Sequence, residues 1–324
     1  MKGLVTELAL GLRQHVLPYL GAHAGRAHDR AGAGGDVTFA IDTEAESYLE
    51  GFLSERAPDL AFYSEDRGLV QPTSPSRPQP DDLLADRPYV LIVDPIDGTR
   101  PALAGFESAC VSVAAAPLGD GDPSMSDVEI GVVVEIKSGA LFAAERGNGV
   151  EIRMPEGGDG EVTLSENDDL ERMFWTLGFR GRPALPLITV LEKLIDTSSV
   201  GGAVFDLGSA TYDLTRLLTG QLDAYLDVGS RIIEEVPALR GRFEEVGGGA
   251  VLNNSPYDLA AAVLCAEEAG AIVGDARGES LAGRPLLGSG HEFQMSCVAA
   301  ANESLHAAIL ETLEDGFARL ARSH

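Results

Sequence analysis

The chain has 324 residues, enough for two domains or one large one, and its 44% hydrophobic content is too high for general disorder. A net charge of −27 argues against broad binding to nucleic acid, whose phosphates need a basic surface, and favours cations instead. No run approaches the ~20 apolar residues of a membrane span, and the first thirty residues lack the apolar core of a secretory signal, so a cytoplasmic location with neither membrane nor nucleic-acid partners is expected.

In chain order, Leu4, Leu8, Leu12, Val16 and Leu20 recur at helical spacing and predict a helix over 4–24. The glycine-rich stretch H-D-R-A-G-A-G-G-D then reads as a loop. A second helix is expected from near Thr43, with Thr43 and Glu46 as a capping box and Pro58 ending it. Ala45, Tyr48, Leu49, Phe52 and Leu53 form its apolar face. Residues 71–88 hold Pro72, Pro75, Pro78, Pro80 and Pro88, which exclude an interior strand or helix and suggest an inserted loop or a flap over the site. The run Y-V-L-I-V-D at 89–94 suits a central buried strand ending on an acid. Strands are also expected at 110–116, 128–136 and 140–145, the last two joined by a tight K-S-G turn.

The aperiodic stretch M-P-E-G-G-D-G-E divides the chain into an N-terminal half, 1–155, and a C-terminal half, 156–324. In the second half, 207–220 reads as a helix, D-A-Y-L-D as a strand and 230–256 as irregular. A helix at 258–270, a strand at 271–273 and a closing helix over 303–320 follow. Mixed strands and helices in segregated runs indicate an α+β layered fold. Cys110, Cys265 and Cys297 lack C-x-x-C spacing and read as buried thiols, and the six histidines show no ligand spacing.

The strongest local signal is Asp94-Pro95-Ile96-Asp97-Gly98-Thr99, directly after the apolar strand. Hard divalent cations need oxygen ligands, and a sharp turn here can aim two carboxylates and a carbonyl at one point. The Gly98 and Thr99 amides could then face an anion. Asp42, Glu65 and Asp258 each have a bland explanation alone, as a capping-region acid, a solvated loop acid and a helix N-terminal acid.

In this order the segments resemble the inositol monophosphatase family of metal-dependent, lithium-sensitive phosphatases, which includes fructose-1,6-bisphosphatases. D-P-I-D-G-T matches completely. G-D-V-T-F-A-I-D resembles the family's D-x-V-T-x-x-D, Y-S-E-D its G-E-E, and the stretch from Tyr257 to Asp275 its W-D-x-A-A…E-A-G-G…D. Gly208-Ser209-Ala210 and Asp223-Ala224-Tyr225-Leu226-Asp227 resemble its G-x-A…D-A-Y-x-E. The resemblance runs from about residue 30 to 280. It implies a layered α-β-α-β-α sandwich, two or three Mg²⁺ ions and a homodimer.

The resemblance also implies site roles. Glu65, Asp94 and the Ile96 carbonyl would hold one ion, and Asp94, Asp97 and Asp258 a second. Glu65 could touch a third through water. Thr99, polarised by Asp42, completes the catalytic set, and the Gly98 and Thr99 amides would hold phosphate. Asp227, Ser209 and Ala210 would meet the substrate. The implied activity is hydrolysis of a small sugar or polyol phosphate, inositol-1-phosphate-like. Fructose-1,6-bisphosphate, 3′-phosphoadenosine 5′-phosphate and a non-catalytic ligand-binding role are the alternatives. A nucleotide site at Gly247-Gly248-Gly249 lacks G-x-G-x-x-G spacing.

Three departures from the pattern stand out. Arg100 follows D-G-T and could contact a substrate phosphate or pair with a neighbouring acid, Asp227 replaces the usual Glu, and 230–256 is longer than usual. Arg231, Arg240 and Arg242 in that segment could read a second phosphate or lie in a solvated loop.

Overall fold

The structure, a computed structural model, describes residues 1–22, 28–31, 37–71, 88–119, 121–155 and 158–323. The proline-rich segment therefore lies, over 72–87, outside the described residues, as does residues 32–36 of the glycine-rich loop.

Helix α1 (Lys2–Val16) buries Val5, Leu8, Ala9, Leu12 and Val16 along one stripe. It stops at Val16 rather than near 24, because Pro18 opens a 3₁₀ turn and Gly21 turns the chain at φ +71°. The hairpin β1 (His28–Ala31) and β2 (Val37–Phe39) leads into α2 (Ala40–Arg56). This helix starts earlier than expected. The Phe39 amide donates to the Asp42 carboxylate at 2.8 Å, so Asp42 caps the helix and Thr43 lies inside its first turn.

The first sheet is built from β3 (Ala61–Ser64), β4 (Gly68–Val70), β5 (Tyr89–Asp97), β6 (Cys110–Pro117), β7 (Ile130–Glu135), β8 (Leu141–Glu145), β9 (Val150–Arg153) and β10 (Asp159–Gly160), with the short α3 (Thr99–Ala104) after β5. Among the described residues the strand order is β10-β9-β8-β7-β6-β5-β3-β4, with only β3 and β5 parallel. The β7–β8 turn is tight, with Gly139 at φ +83°.

The second sheet takes β11 (Phe174–Leu177), β12 (Ala203–Phe205), β13 (Ala224–Asp227), β14 (Ile272–Gly274) and β15 (Cys297–Ala300), in the order β12-β11-β13-β15-β14. Between these strands run α4 (Ala184–Thr197), α5 (Ala210–Leu218), α6 (Gly229–Glu235), α7 (Arg240–Val246) and α8 (Pro256–Ala269), and α9 (Glu303–Ser323) closes the chain.

Helices α1 and α2 cover one face of the first sheet, while α5 and α8 fill the space between the sheets. Helices α4 and α9 pack together beyond the second sheet. The result is an α+β sandwich of alternating helix and sheet layers. Its middle layer joins residues from both halves of the chain: Val90, Ala114 and Phe142 from the first sheet meet Leu259, Val263 and Leu217. One buried ion pair crosses this layer, Arg216 on α5 to Glu135 on β7, with the guanidinium also against Tyr212 and Phe142. All three cysteines are buried there or near it.

The stretch 230–256 is not irregular: it carries α6 and α7, held by buried Ile232, Leu239 and Phe243. Short helices draw their stability from such packing rather than from propensity, which is why composition hid them. Sequence reading also left 165–206 without elements, although Leu187, Val190, Leu191 and Leu194 on α4 have helical spacing and are buried.

Candidate metal centre

In a regular strand Asp94 and Asp97, three residues apart, would face opposite sides of the sheet. The pairing register prevents this. Asp94 lies opposite Ser112 and Asp97 opposite Cys110, three steps on β5 against two on β6. The bulge at Pro95 and Ile96 absorbs the extra residue and turns both acids the same way. Asp258 arrives from the middle layer itself, in the first turn of α8. One of its oxygens accepts the Ser255 amide at 2.6 Å and caps the helix, leaving the other for the cluster. Ligand oxygens of Asp94, Asp97 and Asp258 lie within 4.8 Å of one another.

The cluster is dry. Asp94 is 1% and Asp97 8% exposed. Burial pushes Asp94 well above the usual carboxylate range, and the charges of Glu65, Asp97 and Asp258 push it further. Asp97 is also raised by burial, against hydrogen bonds from Thr211 and Ser209 that pull it down. Asp258 is pushed up to about 8 by burial and by Asp97. Carboxylates this close and this buried resist ionising together unless a cation joins them. Three hard oxygen donors converging on one point fit a divalent ion such as Mg²⁺.

Neighbouring bonds fix the ligands. Asp97 accepts the Ser209 hydroxyl at 2.8 Å and the Thr211 amide at 2.6 Å on the same oxygen. Asp94 accepts the Ile96 amide at 2.9 Å. Such bonds orient ligand carboxylates before any ion arrives. The Thr99 hydroxyl lies 3.1 Å from both the Asp42 carboxylate and the Ile96 carbonyl. Gly98, between Asp97 and Thr99, has φ +87°, and a Cβ there would lie 2.5 Å from the Ser108 carbonyl. Only glycine fits that position. Glu65 is half-buried on the turn after β3, and its charge reaches Asp94.

A cleft with about 470 Å³ of empty space, open to solvent, runs from Asp97 and Asp258 towards the second sheet. Ser209 and Ala210 line it, at the start of α5. Asp227 does not. It is fully buried behind the wall, paired with Arg182 and accepting the Gly229 amide at 2.9 Å. Arg100 is exposed, with its guanidinium 5.4 Å above the Phe39 ring.

Arg231 is buried at 3% exposure. It donates to the Ala276 carbonyl at 2.7 Å, pairs with Glu314 at 2.6 Å and lies against Phe317. Arg240 and Arg242 pair on the surface with Glu244 and Glu245. These three arginines are parts of the scaffold and the surface of α6 and α7, and none lines the cleft.

The cleft does hold Arg180, Arg182, Asp206 and Asp213, which sequence reading missed. The signal available was G-F-R-G-R, a glycine-flanked arginine pair just after β11.

A sequence profile described as the inositol monophosphatase family matches residues 4–316. The chain is 27% identical over 320 residues to a fructose-1,6-bisphosphatase/inositol-1-monophosphatase of Methanothermobacter thermautotrophicus, covering 97% of this chain and 96% of that one. It is 25% identical over 287 residues to an inositol-1-monophosphatase of Caulobacter vibrioides, covering 88% and 89%. The crystal structure of the extragenic suppressor protein suhB from Bartonella henselae shares the fold, with a TM-score of 0.68 at 21% identity over 97% of this chain and 98% of that one.

Proposed function

The chain belongs to the inositol monophosphatase family, and from that premise we propose that it is a Mg²⁺-dependent phosphomonoesterase acting on a small sugar or polyol phosphate. The observation that carries this reading is the convergence of Asp94, Asp97 and Asp258, brought together by a strand bulge and a helix N-terminus.

In this reading Asp94, Asp97 and Asp258 hold one cation. Glu65, Asp94 and the Ile96 carbonyl would hold another, and Glu65 would also serve a third. Bound cations supply positive charge to the phosphoryl oxygens and acidify water. The Thr99 hydroxyl, held by Asp42, orients the attacking water, and Asp42 is positioned to take up its proton through that hydroxyl. The Gly98 and Thr99 amides hold the phosphoryl group at the start of α3. Ser209 and Ala210 contact the alcohol in the cleft. Arg100, its guanidinium over the Phe39 ring and next in the chain to Thr99, adds positive potential for an incoming ester. No covalent intermediate is needed, because positioning and charge neutralisation lower the barrier.

The resemblance supports lithium inhibition, a homodimer and two halves meeting at the site, and the net charge of −27 with the lack of a signal-like run supports a cytoplasmic location without a nucleic-acid partner. No helix of the described residues is long and apolar enough to cross a membrane. An inositol-1-phosphate-like ester leads the substrates, because the arginines of 230–256 are committed elsewhere. Fructose-1,6-bisphosphate and 3′-phosphoadenosine 5′-phosphate follow it.

The test is phosphate release from these three esters and glycerol-2-phosphate, with Mg²⁺ and with chelator, beside Asp94→Asn. Release that needs Mg²⁺ and disappears in the variant is expected. Absence of release from every ester, with Mg²⁺ bound, would turn the reading to a non-catalytic member of the fold.

A further inference from the structure

The phosphoryl end of any substrate is set by the acids of β5 and α8, so the alcohol must extend along the cleft towards the second sheet. The side chains there are mostly committed. Asp227 is sealed behind Arg182. Ser209 donates to Asp97 and accepts the Tyr212 amide at 3.0 Å. Asn254 donates to the Tyr225 hydroxyl at 2.8 Å. Asp213 is 2% exposed.

Besides Asp258, two charged side chains of the cleft reach solvent. Asp206 stands exposed in the β12–α5 turn, and Arg180, also exposed, stands in the β11–α4 loop. Both line the same cleft, and the positive charges of Arg182 and Arg180 act on the Asp206 carboxylate. Gly208 has φ +76° and abuts Pro101, three residues into the turn that follows the metal acids. The Ser108 hydroxyl donates to the Leu207 carbonyl at 2.7 Å and anchors the backbone next to Asp206.

We propose that Asp206, with Arg180 of the same cleft, reads the hydroxyl groups of the substrate's alcohol, the task that the family pattern would give to Asp227. A carboxylate accepts from one or two hydroxyls, and a guanidinium donates to hydroxyl oxygens alongside. The pair therefore selects a sugar or polyol with adjacent hydroxyls over a hydroxyl-free alcohol. Asp227 instead holds Arg182 in the wall, where breaking the pair would leave a buried charge alone. The inference rests on the phosphatase reading for the position of the phosphate.

The experiment compares kcat/KM for inositol-1-phosphate with that for p-nitrophenyl phosphate, which has no hydroxyl on its alcohol. Calorimetry of inositol-1-phosphate binding with Mg²⁺ runs in parallel. Asp206→Asn should lower the ratio about tenfold, chiefly through KM, since hydrogen bonds to charged groups carry that much discrimination. Calorimetric affinity for inositol-1-phosphate should fall by the same factor, with Mg²⁺ affinity within twofold of wild type. Arg180→Gln should lower the ratio in the same direction.

Asp227→Asn should lower the urea midpoint. A lower ratio in Asp227→Asn at an unchanged midpoint, or an unmoved ratio and affinity in Asp206→Asn, overturns the assignment alone. Wild type that binds inositol-1-phosphate but releases phosphate from none of the four esters tested above or p-nitrophenyl phosphate overturns the phosphatase reading, and the Asp206→Asn affinity then decides this one. Wild type that neither binds inositol-1-phosphate nor hydrolyses any of these esters overturns both.

Discussion

Glu46 is a buried acid next to the metal centre whose ionisation can be isolated. It lies on α2 one turn beyond Asp42 and is 2% exposed. It accepts the Ser64 hydroxyl at 2.9 Å and the Asp66 amide at 3.4 Å, the two residues that flank Glu65. Burial pushes its carboxyl from 4.5 to about 7, with the Ser64 bond opposing and the Asp66 charge adding. A rise of that size corresponds to about 3 kcal/mol between the two protonation states. The folded chain binds this proton more tightly than the unfolded chain does. The stability it contributes is therefore complete below pH 4.5 and lost as pH rises through about 7.

Between pH 5.5 and 8 the loss comes to about 2 kcal/mol. Glu46→Gln keeps an acceptor for Ser64 and cannot ionise. Urea unfolding of both proteins at the two pH values, in chelator, gives the difference directly. Contributions from Asp94, Asp97 and Asp258 are common to both proteins and cancel to first order. Relative to wild type, the variant should gain about 2 kcal/mol on going from pH 5.5 to pH 8. A difference that is the same at both pH values would refute the claim that Glu46 is held protonated by burial.

Mg²⁺ binding at pH 7 should release protons, because Asp94 and Asp97 are raised and Asp258 stands at about 8. Calorimetry in buffers of different protonation enthalpy checks this; identical heats in all buffers would show that the acids were already ionised. Gly98→Ala should cost about 2–3 kcal/mol, from a left-handed backbone and a Cβ pressed on the Ser108 carbonyl and on Ser209. It should also weaken Mg²⁺ binding, because Asp97 must shift; a variant with wild-type urea midpoint and Mg²⁺ affinity contradicts the geometry. Arg216→Ala should destabilise by about 3–5 kcal/mol by leaving Glu135 buried and unpaired. The pair Arg216→Met with Glu135→Gln should recover most of that in thermal melts, and no recovery would mean the loss came from packing against Tyr212 and Phe142.

Much of the metal centre was legible in the sequence because its chemistry is local. Asp94, Asp97, Gly98 and Thr99 lie within six residues after an apolar strand, and Asp258 opens a helix whose small apolar residues announce it. The layered α+β class followed from the runs of strands and helices. What the sequence by itself determined was therefore which acids are candidates to gather cations and which elements carry them.

Tertiary structure decided the rest, because the deciding contacts join residues far apart in the chain. The bulge that turns Asp94 and Asp97 together depends on pairing with β6. Asp227 is sealed by Arg182, and Arg231 is consumed by Glu314 and Phe317. The helices of 229–246 exist because Ile232, Leu239 and Phe243 find a core. Sequence spacing records which side chains are available, whereas the free energy of burying a charge depends on which partner the fold sets against it.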